Sequence, residues 1–263
     1  MNEQNIISKH IGILCAMPEE IGSTLDNLKN IETKTYGDLE IYSGNWCFSN
    51  TPSKSKNIYL SIAWSGWGKV SASRAATRLI GHHFKELKID AIFFTGVAGA
   101  IKPELKQWDI VIPNELIQHD MDARPLFKKY EIPALKTIKI KSNELISNWT
   151  TSTLKNSIDE GALKTFGNLH KGLIATGDKF ISKKDDVENI LKDIEDIFAV
   201  EMEGASVAQV ATQEKIPFQI IRVISDEANE NSPDDFNKFL LKYNKHSAKL
   251  ISSLMDNIEN FPI

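Results

Sequence analysis

The sequence predicts one α/β domain, because apolar strand-like runs alternate with helix-like segments along most of its 263 residues. The chain has no linker of biased composition and no internal repeat, which favours a single domain over two. Carboxylates and glycines also cluster where several predicted strands end. Strand ends are where α/β sheets bind their ligands, so these clusters are candidate functional sites.

The composition excludes several classes of protein. Hydrophobic residues make up 41% and charged residues 25% of the chain, as in ordinary globular proteins. The net charge of −4, with Lys and Arg spread along the chain, indicates no nucleic-acid partner and no anionic membrane partner. The first residues do not resemble a signal peptide, and no run reaches the roughly 18 apolar residues of a membrane span. Two cysteines, Cys15 and Cys47, suggest neither a disulfide framework nor a metal site, so we expect a cytoplasmic protein.

The first half of the chain contains strands that end in acidic or glycine-rich turns. The predicted elements are strands over 10–16, 39–44, 58–64 and 90–95, a polar loop over 49–57, and a helix over 72–80. The first strand leads into Met17-Pro-Glu-Glu20, where the proline suits the first position of a helix and the dipole of that helix would favour the two acids. Two further strands lead into the glycine-rich turns 65–70 and 96–100. We expect His82 and His83 to cap helix carbonyls rather than to bind a metal.

The second half continues the alternation. The predicted elements are strands over 108–117, 169–176, 198–200 and 218–226, and helices over 144–154, after 182, from 204, and from 231 to about 258. Ser182 is predicted to cap its helix, with Asp185 three residues later. The last helix carries an apolar stripe from Phe236 to Ile258, which we assign to the core.

Three carboxylates stand in segments that otherwise indicate burial. Glu201 and Glu203 interrupt a strand-to-helix run, and Asp226 ends an apolar strand that also contains Arg222. Burying an unpartnered carboxylate costs several kcal/mol, so polar groups should meet these side chains. They are either helix caps and ion-pair partners of Arg222, or they contact a ligand.

Six segments, taken together, resemble the successive motifs of the bacterial 5′-methylthioadenosine/S-adenosylhomocysteine nucleosidases of the nucleoside phosphorylase superfamily. These segments are 11–20, 65–70, 95–99, 177–181, 199–203 and 222–226. The resemblance implies a three-layer α/β fold with a central mixed, partly barrel-like sheet flanked by helices. It further implies a single nucleoside phosphorylase-like domain over 1–263, with its core at about 10–258.

The same resemblance implies roles for the acidic residues. Asp226, oriented by Ser225, would protonate N7 of adenine. Glu20 would act as the base for the attacking water, which Arg222 would help to hold. Glu203 would bind the ribose 2′ and 3′ hydroxyls. Acid, base and sugar carboxylate are the groups that hydrolysis of an N-glycosidic bond requires.

Other contacts follow from the resemblance as well. Met202 would pack against the sugar, Phe180 would stack on the purine, and the backbone of Ile181 would read the purine edge. Ala16, Val97 and Glu201 would complete the substrate site, although Glu201 has no role beyond hydrogen bonding within it. The implied ligand is a small adenine nucleoside, and neither a metal nor a cofactor is expected.

Family members are commonly homodimers, so we expect a homodimer in which the partner's loop near Ala123 to Leu126 completes the pocket. Two departures from the family pattern concern this region and the water site. Val97 stands where the family often has Ser, and Arg124 is unexpected in the loop. Val97 leaves the contribution of a hydroxyl near the water open. Arg124, with Ala123 and Leu126 smaller or differently shaped than usual, leaves the group at the 5′ position of the nucleoside open.

Two other functions stay possible on sequence grounds. A phosphorylase of the same fold needs cationic contacts for phosphate, but Glu20 and Phe94 stand where related phosphorylases supply arginines. A non-catalytic nucleoside-binding module needs no acid and base together. Hydrolysis is therefore the favoured prediction.

Overall fold

The computed structural model describes residues 7–48 and 56–263, and most of the predicted loop 49–57 lies outside them. The strands within these residues are β1 Ile7–Cys15, β2 Leu28–Tyr36, β3 Leu39–Trp46, β4 Lys56–Trp64, β5 Ala91–Ala100, β6 Ile110–Gln118, β7 Lys139–Lys141, β8 Leu169–Thr176, β9 Ile197–Glu201 and β10 Phe218–Asp226. The α-helices are α1 Lys69–Ile80, α2 Glu144–Asp159, α3 Lys184–Leu191, α4 Gly204–Gln213, α5 Ser232–Tyr243 and α6 Ser247–Met255.

Five strands close into a barrel. Around this barrel β5 pairs with β10, β10 with β6, β6 with β8, β8 with β9, and β9 returns to β5. The sheet continues from β5 through β1, β4, β3 and β2, and it mixes parallel with antiparallel pairs. The predicted mixed, partly barrel-like sheet is therefore confirmed.

Helices cover the sheet on two sides, which gives the predicted three layers. On one side, alanines of α1 and α4, including Ala72, Ala76 and Ala208, are fully buried, and such small side chains let the helices approach closely. On the other side, α2, α5 and α6 bury larger residues such as Tyr243 and Leu250 in a second core. None of the helices within the described ranges is long and apolar enough to cross a membrane.

The strand ends bring distant parts of the chain to one place. Ala16 follows β1, Glu201 ends β9 and Asp226 ends β10. The strand β5 does not end at the glycines 96–100 as predicted, because Gly96 pairs with Arg222 and Gly99 with Asp226 in β10. A side chain at Gly96 would overlap both Arg222 and Glu20, so this glycine makes room for buried charges.

The C-terminal helix prediction is wrong in one respect. The chain breaks into α5 and α6 at residues 244–246, where the sequence predicted one long helix. The Ser247 hydroxyl donates to the carbonyl of Glu19 at 3.1 Å, which anchors the start of α6 beside the turn after β1. The apolar stripe itself is core, since Phe239, Tyr243 and Leu254 are buried.

Two predicted caps are also wrong. Lys183, not Ser182, occupies the N-cap position of α3, and it makes no side-chain cap bond. His82 does not cap a carbonyl with its ring, because Nε2 lies 2.9 Å from the Ser43 hydroxyl in the interior. Burial accordingly lowers the pKa of His82. The sequence analysis did not predict the strand β2. It is an edge strand with mostly exposed side chains, so its sequence has no apolar alternation.

Candidate active site

A cleft opens at the strand ends of the barrel. Its walls contain all the predicted site residues except Arg222. The residues that line it are Ala16, Met17, Glu20, Trp67, Val97, Ala98, Gly99, Lys179, Phe180, Ile181, Val200, Glu201, Met202, Glu203, Ser225, Asp226 and Phe236. Three acidic stretches that are far apart in sequence therefore meet at one cleft, which favours the ligand-binding alternative for these carboxylates.

Glu20 is almost fully buried and held by backbone donors. Its Oε2 accepts the N–H groups of Ala16 at 2.7 Å and Met17 at 3.0 Å, and its Oε1 accepts the N–H of Val97 at 3.0 Å. Burial raises the pKa of Glu20, while Arg222 and the three N–H groups oppose the rise. A carboxylate with a raised pKa is a stronger base, so this environment suits proton abstraction.

Asp226 has both carboxyl oxygens bonded at the end of β10. The Ser225 hydroxyl donates to Oδ2 at 2.7 Å, and the N–H of Ala228 donates to Oδ1 at 3.0 Å. Ser225 itself is buried and also lies 3.2 Å from the carbonyl oxygen of Ala98. These bonds fix the plane of the carboxyl group against the cleft.

Arg222 lies beneath the cleft and is fully buried. Its Nη2 forms an ion pair with Glu201 and lies 3.5 Å from Glu203. The guanidinium carbon also lies 4.2 Å from the ring centroid of Phe94. Nε and Nη1 have no partner among the described residues, and a Cβ built on Gly96 would overlap both Nη1 and Oε1 of Glu20. A donor is thus available beside the proposed base.

Glu201 has more partners than the sequence suggested. Besides Arg222, it accepts a bond from the Thr176 hydroxyl, and its Oε2 accepts the N–H groups of Glu203 at 3.1 Å and Gly204 at 2.7 Å. It therefore fixes the arginine and ties the start of α4 to β8 and β10. The ion-pair alternative that the sequence left open is correct for this residue.

Glu203 is a buried acid whose pKa is raised well above its ordinary value. Burial raises the pKa of Glu203 to about 8, the nearby Glu201 adds to the rise, and Arg222 opposes it. Its Oε1 accepts the N–H of Gly68 at 2.8 Å. Gly68 has a φ of 89°, a conformation that glycine adopts without strain.

Aromatic side chains line the mouth of the cleft. Phe180 and Trp67 both contact Phe236 edge to face, with ring centroids 5.7 and 6.0 Å apart. Sequence reasoning assigned Phe236 to the core and gave Trp67 no role in the site. The available signal for Trp67 was its place between two glycines of a turn at a strand end, where α/β sheets bind their ligands.

Comparison with known proteins identifies the family. A family model described as the phosphorylase superfamily matches residues 10–256. The chain is 34% identical over 251 residues to the 5′-methylthioadenosine/S-adenosylhomocysteine nucleosidase of Shewanella sediminis, covering 94% of this chain and 99% of that protein. The chain belongs to this nucleosidase family of the phosphorylase superfamily.

Solved structures agree with the family assignment. The methylthioadenosine/S-adenosylhomocysteine nucleosidase of Neisseria meningitidis, in complex with methylthio-immucillin-A, has a TM-score of 0.81 at 28% identity and covers 95% of this chain and 99% of its own. The futalosine hydrolase of Helicobacter pylori has a TM-score of 0.78 at 31% identity, with 95% and 98% covered. The nucleosidase fold seen here is thus shared by relatives named for different nucleosides.

Proposed function

We propose that this protein hydrolyses the N-glycosidic bond of 5′-methylthioadenosine or S-adenosylhomocysteine, releasing adenine and the thioribose product. One observation carries the proposal: Glu20, Glu203 and Asp226 line the same cleft in a member of the nucleosidase family. In this reaction the ribose gains positive charge and the leaving purine gains negative charge. A hydrolase therefore needs an acid near the purine and a base near the water.

Each acid has surroundings that fit its proposed role. Asp226, fixed by Ser225, donates a proton to N7 of the leaving adenine, which is typically worth about 10²–10⁴ in rate. Glu20 removes a proton from water, and Nη1 of Arg222, which has no partner within residues 7–48 and 56–263, orients that water. Glu203 binds the ribose hydroxyls, while Phe180 stacks on the purine and Met202 on the sugar.

The water site differs from the family pattern at Val97. This residue has no hydroxyl, but its backbone N–H donates to Glu20 at 3.0 Å. Val97 can therefore position the Glu20 carboxylate through its backbone N–H, although its side chain cannot form a hydrogen bond with the attacking water. This contact supports the proposal that Val97 acts through its backbone.

Two alternatives are weaker. A phosphorylase would need donors and cations to bind phosphate, but the carboxylate of Glu20 stands at the cleft and would repel the anion. A binding module would not need a buried base with a raised pKa in the same cleft as a hydrogen-bonded acid. A phosphorylase would form the sugar 1-phosphate and a binding module would form no product, so one assay separates both from hydrolysis.

The test is incubation of the purified protein with methylthioadenosine, with and without phosphate. Free adenine and methylthioribose in both tubes supports hydrolysis, whereas the 1-phosphate ester identifies a phosphorylase. Parallel tubes contain S-adenosylhomocysteine and futalosine, because a structural relative is named for the latter. Release of base from futalosine only would reassign the substrate, and no release from any of the three would favour the binding module.

We also propose a homodimer in which the loop over 123–126 completes the partner's pocket. Leu126 is 84% exposed and Val70, at the start of α1, is 81% exposed; Phe127 is exposed as well. Exposed large apolar residues are typical of an interface, and a second copy of the chain is the partner that the family suggests. Arg124 pairs with Asp122 at 2.5 Å, so its charge is partly neutralised within the loop.

Light scattering of the purified protein tests the dimer. The wild type should have twice the mass of one chain, and Leu126→Asp should shift it toward the monomer and reduce turnover. A monomeric wild type with full activity would contradict the proposal.

The location and the domain organisation are also proposals. Free Cys15 and Cys47 fit the proposed cytoplasmic location, where thiols stay reduced. A continuous sheet from β1 to β10 supports one domain over 1–263.

A further inference from the structure

A cluster of charged residues beside the cleft joins three separate segments. The Nζ of Lys69, in the first turn of α1, lies 2.6 Å from Oδ1 of Asp120 in the loop after β6. The backbone N–H of Lys69 donates to Oδ1 of Asp178 at 2.7 Å. The backbone N–H of Asp178 donates in turn to Oδ2 of Asp120 at 2.9 Å. We call Lys69, Asp120 and Asp178 the clasp.

The clasp is connected to both halves of the proposed substrate site. Two consecutive backbone amides point at two carboxylates: Gly68 donates to Glu203 and Lys69 donates to Asp178. The position of one peptide segment therefore sets the ribose carboxylate and the clasp together. Asp178 also lies two residues before Phe180, which lines the cleft.

The clasp differs from the ordinary surface ion pairs of this protein. The side chains of Lys69 and Asp120 are only 19% and 32% exposed, and Lys69 also reaches Oε1 of Gln118 at 3.3 Å. Burial tends to raise the pKa of Asp120, but the Lys69 ammonium and the Asp178 N–H outweigh it and lower the pKa. Networked, partly buried pairs constrain geometry more than isolated exposed pairs do.

We propose that the clasp is a positioning device, which holds Glu203 and the purine loop over 177–181 at the separation that the nucleoside requires. None of its three residues lines the cleft, so they act through Gly68 and Phe180 rather than on the substrate. This inference rests on the proposed function, since it assigns the two positioned groups to ribose and purine.

The first test is the steady-state kinetics of Lys69→Met with methylthioadenosine. Loss of the Lys69 ammonium releases Asp120 from α1. Substrate binding must then fix the position of the loop over 177–181 relative to Glu203, and this ordering weakens binding. KM should rise about tenfold while kcat changes less than about threefold. A loss of folded protein alone would lower the apparent kcat and leave KM unchanged, so that pattern would overturn the proposal.

A double-mutant cycle tests whether the residues act as one unit. Asp120→Ala should raise KM to a similar extent, and Lys69→Met/Asp120→Ala should be no worse than the more severe single variant. If the increase in KM of the double variant equals the product of the two single increases, the residues act independently and the clasp is contradicted.

Lys102→Met is the matched control, because it removes a lysine from the 2.8 Å ion pair with Asp196. Neither Lys102 nor Asp196 lines the cleft. The KM of this variant should equal that of the wild type.

Hydrogen–deuterium exchange separates a failure of the clasp from a failure of the proposed function. Backbone amides of 177–182 should exchange faster in Lys69→Met than in the wild type, whatever the substrate is. Unchanged exchange in this segment would overturn the clasp even if the enzyme cleaves methylthioadenosine. A wild type that cleaves no adenine nucleoside, but whose loop is loosened by the substitution, would contradict the proposed function only.

Discussion

The Ser225 hydroxyl donates to the Asp226 carboxyl group at 2.7 Å, and both side chains are buried at the end of β10. We predict that Asp226→Asn lowers kcat at least about 100-fold, because an amide of similar shape cannot deliver the proton to the purine. Release of adenine from methylthioadenosine measures the loss. Circular dichroism should be unchanged, and near-normal turnover by this variant would contradict the role of Asp226 as the acid.

Ser225→Ala provides a graded comparison with that variant. The acid stays present but loses one of the two bonds that fix its plane, since the Ala228 N–H still donates to Oδ1. We expect kcat to fall about tenfold, which is the usual scale for the loss of one hydrogen bond. A loss as large as that of Asp226→Asn would mean that Ser225 does more than orient the acid.

Glu20→Gln should abolish turnover for a different reason. The carboxylate accepts three backbone N–H groups with its two oxygens, whereas glutamine offers one oxygen and one NH₂ donor. One end of the amide must therefore face a donor, which costs about 1–3 kcal/mol of the free energy of unfolding. Adenine release and urea denaturation measure the two effects. A variant that is active, or that is as stable as the wild type, would contradict these bonds.

The sequence predicted the strands that carry the site well, and it predicted side-chain contacts poorly. Apolar runs that end in acids located Glu201 and Asp226, and the family motifs brought the remaining site residues with them. The partner of Glu201 is Arg222, 21 positions away on another strand. The sequence offered this ion pair only as one of two alternatives, because no local pattern shows which acid an arginine on another strand will contact. The contact of Trp67 with Phe236 likewise joins α5 to a turn before α1.

The same limit explains the wrong helix prediction near the C-terminus. An apolar stripe shows which residues face the core, but it continues across a break when both helices pack on the same sheet. The break at 244–246 is stabilised by a bond from Ser247 to Glu19, which only the folded chain brings together. The roles of the individual site residues stay predictions that the variants described here test.

The buried ion pair between Glu201 and Arg222 should matter more for stability than any exposed pair. Glu201→Ala leaves the fully buried Arg222 without its main partner and removes the acceptor for two backbone N–H groups of the α4 start. We expect the free energy of unfolding to fall by about 3–5 kcal/mol. Lys102→Met, which removes an ion pair whose Asp196 side chain is 83% exposed, should cost less than about 1 kcal/mol. Urea denaturation of both variants makes the comparison, and equal losses would contradict it.

Glu203 should make the stability of the ligand-free protein depend on pH. Burial raises its pKa from 4.5 to about 8 on folding, so between these values the folded state binds more protons than the unfolded state. The free energy of unfolding must then fall as the pH rises from about 4.5 to about 8, by at most about 1.4 kcal/mol per pH unit. Glu203→Gln cannot ionise but can still accept the Gly68 N–H, so its stability should change less over this window. Urea denaturation at several pH values measures both slopes, and equal slopes would show that Glu203 is ionised throughout. Since the ionised carboxylate is the form that accepts bonds from the ribose hydroxyls, nucleoside binding should oppose the protonation and lower the pKa of Glu203.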